Sequence, residues 1–335
     1  MTIPLYFPAD ELGGQTKDFD LAADYVELSS FFSSDGIARL SDLINASEIG
    51  ADSEYASVDD EITSREEIVA GATNVIEARR SSLAEAYPFQ LSDDGRELAL
   101  QQDLNIAGGA YLLCLIISNL ESVSPILSQS GVHPSTQEVN ELRQYFQYLA
   151  TAAMAGEICG KAWSFGFPRP DGTGFIQKLR EIWRHLGDGD VFDGGAAGAP
   201  TYPKDDQIDV FAIRDHSDGL PGYLLAAAQV ATGANWKAKS VVAHVNRVFY
   251  ARWFLPQPVT KAVAYHVIPF ARKKEDFQDD VLVVGNLLHR TRVPRRVSEA
   301  IQLSRDGVAI EAIERLENAL AWVTDYRTTQ LEAAA

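Results

Sequence analysis

Two side chains able to hold a hard cation interrupt apolar runs. Asp209 stands within Ile208-Asp209-Val210-Phe211-Ala212-Ile213, and Gln229 breaks the run from Tyr223 to Val230. A carboxylate in such a run is costly unless it is ion-paired, exposed at an edge strand or bound to metal. Gln229 offers a dipole rather than a charge, and a hydrogen-bonded core amide is its alternative reading. Lys237 and Lys239 follow shortly. Together these groups offer oxygen ligands of the kind a hard cation such as Mg²⁺ takes and an ammonium able to sit beside a negative charge. The two lysines lie roughly 200° apart around a helix, so one of them points inward, and Lys239 is the preferred one. A solvated lysine in a first turn is the alternative for either, at an end where the helix dipole disfavours it.

The elements that must position these groups read as strand, polar turn, strand, then a loop opening a helix. The first run is apolar nearly throughout, as in a strand covered on both faces. Asp218-Gly219 and Pro221-Gly222 are turn signals, and Asn235 can cap a helix from Trp236 to about Arg252. This stretch, residues 204–239, resembles the active-site hairpin of the PD-(D/E)XK nuclease superfamily, and the likeness extends more loosely over residues 150–296.

That resemblance implies a restriction-endonuclease-like mixed sheet flanked by helices, an α+β or α/β domain over residues 131–335, preceded by a mostly helical accessory domain over 1–130. It implies a Mg²⁺ site (Mn²⁺ may substitute) built from Asp209, Gln229 and the carbonyl of Val230, with Glu157 on the preceding helix as a further ligand. Glu157 also stands four residues before Lys161 and reads equally as one member of a solvated i,i+4 pair. The family lysine belongs at position 231, where this chain has Ala231. Some members draw the lysine from the following helix, which would make Lys239 or Lys237 its replacement. The implied activity is Mg²⁺-dependent cleavage of DNA in a bacterial restriction or anti-phage system.

The chain has 335 residues and a net charge of −18, at face value adverse to nucleic acid. The charge is uneven: residues 231–305 carry thirteen Lys or Arg against five Asp or Glu. Such asymmetry fits a segment facing a polyanion, or basic residues that face acidic ones across a domain boundary. Arg290, Arg292, Arg295 and Arg296 form a short basic run that either touches phosphates or starts a salt-bridged helix. The acidic N-terminal region suggests a protein partner, and a homo-oligomer is compatible. Two cysteines are too few for a disulfide framework or a cysteine zinc site, which fits a reducing cytoplasm. The first residues lack the pattern of a signal peptide. The run from Leu104 to Leu120 is too short and too interrupted for a membrane span and reads as a buried helix.

In order along the chain, the pattern predicts an extended arm near Leu5–Phe7 and a helix near Ile37–Ile44. A capped helix then runs from Ser64 to Ala86, and a hairpin turns at Asp93-Asp94-Gly95. One long helix covers Pro134–Trp163 and an amphipathic helix covers Phe175–Leu186. Residues 187–203 read as loop, and the first strand of the sheet falls there or is short. Ala262–Phe270 and Val281–Gly285 are further strands, followed by helices from Arg295 and over Val308–Tyr326. No HExxH or paired-histidine zinc spacing, no GxSxG elbow and no P-loop is present. Two other readings remain beside the nuclease. One is a nuclease-like subunit without catalysis that binds DNA or protein, supported by Ala231 and by Gln in place of Glu. The other, a purely structural acidic helical protein, leaves the Asp209/Gln229 hairpin unexplained.

Overall fold

The runs around Asp209 and Gln229 form neighbouring antiparallel strands. The computed structural model describes residues 2–8, 18–44, 58–120, 124–216, 218, 220 and 222–335. They fall into two compact units, Met1–Asn140 with Ala319–Ala335, and Glu141–Asn318. The division lies at 140/141 rather than 130/131, and the last residues belong with the first unit. Gly219 and Pro221 of the expected turn, and the Ser64 side chain of the expected capping box, lie outside the described residues.

The first unit contains α1 (Phe19–Phe31), β1 (Ile37–Arg39), α2 (Val58–Leu83), β2 (Phe89–Leu91), β3 (Glu97–Leu100) and α3 (Ile106–Ser118). Its strands form an antiparallel sheet in the order β1-β3-β2, with β2 and β3 joined by the expected turn. Residues 37–39 are strand, not helix: Ile37 and Arg39 are exposed and Ala38 buried, a two-residue period. Residues 3–8 form no regular element. Helix α3 is apolar all round and almost wholly buried, and the Asn105 side chain caps it by accepting from the Gly108 amide. Buried Arg79 fastens α2 to α1, its guanidinium meeting Asp20 at 2.9 Å, Asp24 at 2.8 Å and Glu27 at 3.0 Å. The Tyr87 and Tyr111 hydroxyls also donate to Glu27, so its buried charge is fully met.

The chain continues through α4 (Thr136–Ile158), β4 (Lys161–Ser164), α5 (Phe175–Leu186), β5 (Val210–Arg214) and β6 (Leu224–Val230). A short turn of helix at Trp236–Lys239 and a wide-wound turn at His244–Phe249 lead into α6 (Tyr250–Trp253). Then come β7 (Ala262–Val267), α7 (Lys274–Val284), β8 (Asn286–Leu288), α8 (Val293–Arg305) and α9 (Arg315–Ala334). The sheet runs β4-β5-β6-β7-β8, antiparallel across its first three strands and parallel across its last three. One face carries the aromatic core: Trp163, Phe211, Leu225 and Ala262 pack against Phe175 and Trp183 of α5 and against Phe249 and Trp253.

Several sequence expectations change here. Helix α4 stops at Ile158 because Cys159 adopts φ +53° and Gly160 lies against the Ile213 carbonyl, where a Cβ would come within 2.2 Å. The chain therefore turns straight into β4, and the first strand holds Trp163 instead of lying in residues 187–203, where one isolated bridge joins Val191 to Phe254. Residues 281–284 are helical, since Phe277, Val281 and Val284 make one stripe against Trp236 and Leu287. The helix expected from Trp236 to Arg252 breaks at Ser240, and Asn235 gives no side-chain cap. The last two helices begin at Val293 and Arg315. Among the described residues no helix is long and apolar enough to cross a membrane.

Candidate functional site

Strand pairing alone puts three polar side chains in one row. The register pairs Val210 with Ala228, so Asp209 falls opposite Gln229, and Gln229 is in turn aligned with His266 on β7. Side chains aligned across neighbouring strands share a face. Here it is the face of Phe211, Ala227 and Ala262, at the end of the sheet where β5 begins and β6 and β7 finish.

Asp209 is buried, 8% exposed. Its Oδ2 accepts from the Val230 amide at 2.8 Å and from Gln229 Nε2. Its backbone carbonyl accepts from the Phe165 amide at 2.7 Å and the Gly166 amide at 2.9 Å. Gln147 Nε2 on α4 also donates to that carbonyl, at 2.9 Å. Gly166 has to lack a side chain: a Cβ there would sit 2.7 Å from Asp209 Oδ1. Burial, with the Asp205 charge adding to it, pushes the Asp209 carboxyl up to about 7, while the Val230 amide and the Lys239 ammonium draw it back down. A buried acid without a cation in contact takes up a proton, and an arriving cation would release it.

The two lysines separate. Lys237 Nζ lies 2.5 Å from Asp280 Oδ1, and Arg272 Nε holds the other oxygen of that carboxylate at 2.6 Å. Lys237 is therefore committed elsewhere. Lys239 is exposed, has no ion pair among the described residues, and its charge acts on both Asp209 and His266. His266 is fully buried beside Trp236, their ring centroids 5.7 Å apart, and neither ring nitrogen has a hydrogen-bond partner among the described residues. Burial first, and the Lys239 charge second, lower it to about 4, so it is neutral at physiological pH.

Glu157 does not join the row. Arg296 Nε grips its Oε2 at 2.6 Å, and the Tyr265 hydroxyl donates to Oε1 at 3.4 Å. The α4 residue that reaches Asp209 is Gln147, nearly three turns earlier. The basic run divides as well. Arg290 is buried, 1% exposed, Arg295 and Arg296 pair with Glu299, and Arg292 donates to the Leu287 carbonyl while lying over the Phe277 ring.

Among the described residues no three His, Cys, Asp or Glu side chains gather as a metal-ligand cluster. The row offers one carboxylate, the Gln229 amide and the Val230 carbonyl. Gln229 Nε2 faces both Asp209 Oδ2 and, at 3.3 Å, the Val230 carbonyl; with the amide turned over to present Oε1, the three oxygens fit a hard ion which keeps most of its waters, as Mg²⁺ does when one or two carboxylates hold it. They fit neither Zn²⁺ nor a fully protein-caged Ca²⁺. Sequence reasoning passed over His266 and Gln147, because a histidine in an apolar strand and a glutamine on a polar helix stretch look ordinary until the register aligns them. Comparison with family models, with curated proteins and with solved structures finds no match for this chain.

Proposed function

We propose that the chain is a Mg²⁺-dependent phosphodiesterase that cuts DNA, with a restriction-endonuclease-like second unit. The observation that carries this reading is the meeting of Asp209 with Gln229 on adjacent antiparallel strands, with the Lys239 charge close by. Helix α4, strands β5 and β6, the helical turns through α6 and then the parallel strand β7 follow the helix, strand, strand, helix, strand order that the resemblance implies, with β4 and α5 set between α4 and β5. When bound, Mg²⁺ lowers the pKa of a coordinated water and offsets charge on the phosphate. Asp209, Gln229 and the Val230 carbonyl are the groups that would hold it. Gln229 and the Val230 amide orient the carboxyl, Gly166 keeps room beside it, and Lys239 places a positive charge where the phosphate gains negative charge. Glu157 and Lys237 have no part in this mechanism. A bacterial restriction or anti-phage role, with a protein partner on the acidic first unit, extends the same proposal.

A second reading, a nuclease-like subunit without catalysis that serves as a scaffold, draws on Ala231 and on the capture of Glu157 by Arg296. One experiment separates the two. Purified wild type and Asp209→Ala are incubated with supercoiled plasmid and Mg²⁺ or Mn²⁺, and Mn²⁺ binding is followed by calorimetry. Cutting and saturable Mn²⁺ binding that both disappear in Asp209→Ala support the nuclease. Equal cutting by the two proteins rules it out, and no metal binding together with no cutting leaves the scaffold.

A further inference from the structure

Beyond the Asp209 row, the second unit has a cavity of about 670 Å³ whose wall includes Arg272, Lys274, Phe277, Leu282, His289 and Arg292. That volume is in the range of small-molecule sites. Three cations and no carboxylate line it. Arg272 is neutralised by Asp276 and Asp280, but neither Lys274 nor Arg292 has a carboxylate partner among the described residues. Two cations without a carboxylate partner therefore line one cavity, in a chain whose total charge is −18.

Two further features narrow the ligand. His289 is 8% exposed, and its Nδ1 has no hydrogen-bond partner among the described residues. Burial first, then Arg292, Arg290 and Arg272, hold this ring near 3. Burial keeps the ring neutral whatever the neighbouring charges, while the three arginine charges, opposed by Asp280, have the sign that attracts an anion. The second feature is a guanidinium over a ring: Arg292 Cζ lies 4.5 Å from the Phe277 ring centroid, and Leu282, which also lines the cavity, is 78% exposed. A guanidinium backed by an aromatic ring is a stacking surface for a nucleobase.

We propose that this cavity binds a phosphate ester carried on a planar base, that is, a nucleotide, either free or as an unpaired unit of a nucleic-acid strand. Lys274 and Arg292 meet the phosphate, and the base lies along the Arg292–Phe277 pair. This site does not depend on the Asp209 reading.

The test is equilibrium binding to the full chain without metal, using adenosine monophosphate, a short single-stranded oligodeoxythymidine, inorganic phosphate and oleate as separate probes. Saturable binding of the mononucleotide or the oligonucleotide is expected, weakened roughly 10-fold or more in Arg292→Gln and in Lys274→Gln. Both variants change exposed side chains, and unchanged circular dichroism confirms their folding. Tighter binding of the mononucleotide assigns a free nucleotide, and tighter binding of the oligonucleotide assigns a strand. Asp209→Ala should bind as wild type does, so loss of cleavage and loss of this site are separate outcomes. No saturable nucleotide binding overturns the proposal, as do equal affinity in wild type and both variants, phosphate binding as tight as nucleotide binding, or oleate as the sole ligand.

Discussion

Arg296 closes on Glu157 with its Nε 2.6 Å from Oε2, and this pair takes the helix carboxylate away from the Asp209 row. Glu157→Gln should therefore leave cleavage and Mn²⁺ affinity within about 2-fold of wild type. It should cost about 1 kcal/mol of stability at most, as expected for a half-exposed pair. Side-by-side cleavage rates and urea melts check this. A Glu157→Gln protein that keeps its stability and loses metal would return Glu157 to the site.

Asp209 gives stability a pH dependence of known sign. Its carboxyl titrates near 7 when folded and near the ordinary 3.8 when unfolded. The folded chain thus holds the extra proton between those values, so this group's contribution is fully present below the lower one and is lost as pH rises through about 7. Asp209→Asn removes that loss. Its melting temperature relative to wild type should climb between about pH 5 and about pH 8. Mg²⁺ at the upper pH should raise the melting temperature of wild type alone. Parallel melting curves for the two proteins across this range would contradict the buried acid.

Lys239 and Lys237 differ in what they touch, so their alanine variants should differ in kind. Lys239→Ala is expected to slow cleavage by about 100-fold or more, the scale for removing one charge-stabilising donor, with no change in melting temperature. Lys237→Ala leaves Asp280 to Arg272 alone, costs about 1 kcal/mol and spares the rate. A reversal of these two phenotypes would assign the catalytic cation to Lys237.

Gly166 is a steric test of the same row. Gly166→Ala places a methyl within 2.7 Å of Asp209 Oδ1, and the carboxyl has to move. Displacements of this size cost on the order of 100-fold in rate, so a folded variant with lost cleavage is expected. Full activity in Gly166→Ala would show that the carboxyl position is not critical.

The parts legible in the sequence are those whose pattern matches one period. Strands β5 and β6 read directly from their apolar runs, and α5 from its amphipathic spacing. Strand β4 was hidden because Lys161–Ser164 follows α4 after a two-residue break at Cys159 and Gly160, and no turn signature marks that break. Helix α7 hid in the opposite way: Val281 to Val284 look like strand when taken alone, and only Phe277 one turn earlier exposes the helical stripe. Of the candidate site, the Asp209–Gln229 contact followed from the hairpin. Lys239 was separable from Lys237 only once Asp280 was seen to occupy the latter. Gln147, more than sixty residues before Asp209, needed the tertiary structure.

Strand direction has a practical consequence. Because β5 starts where β6 and β7 stop, the row lies at one rim of the second sheet, while the hairpin from Arg214 to Leu224 turns back at the opposite rim. The strand ends at that rim, Arg214 and Leu224, are therefore natural places to attach a fluorophore, an affinity tag or a lengthened loop, because they stand a full strand length from Asp209, Gln229 and His266.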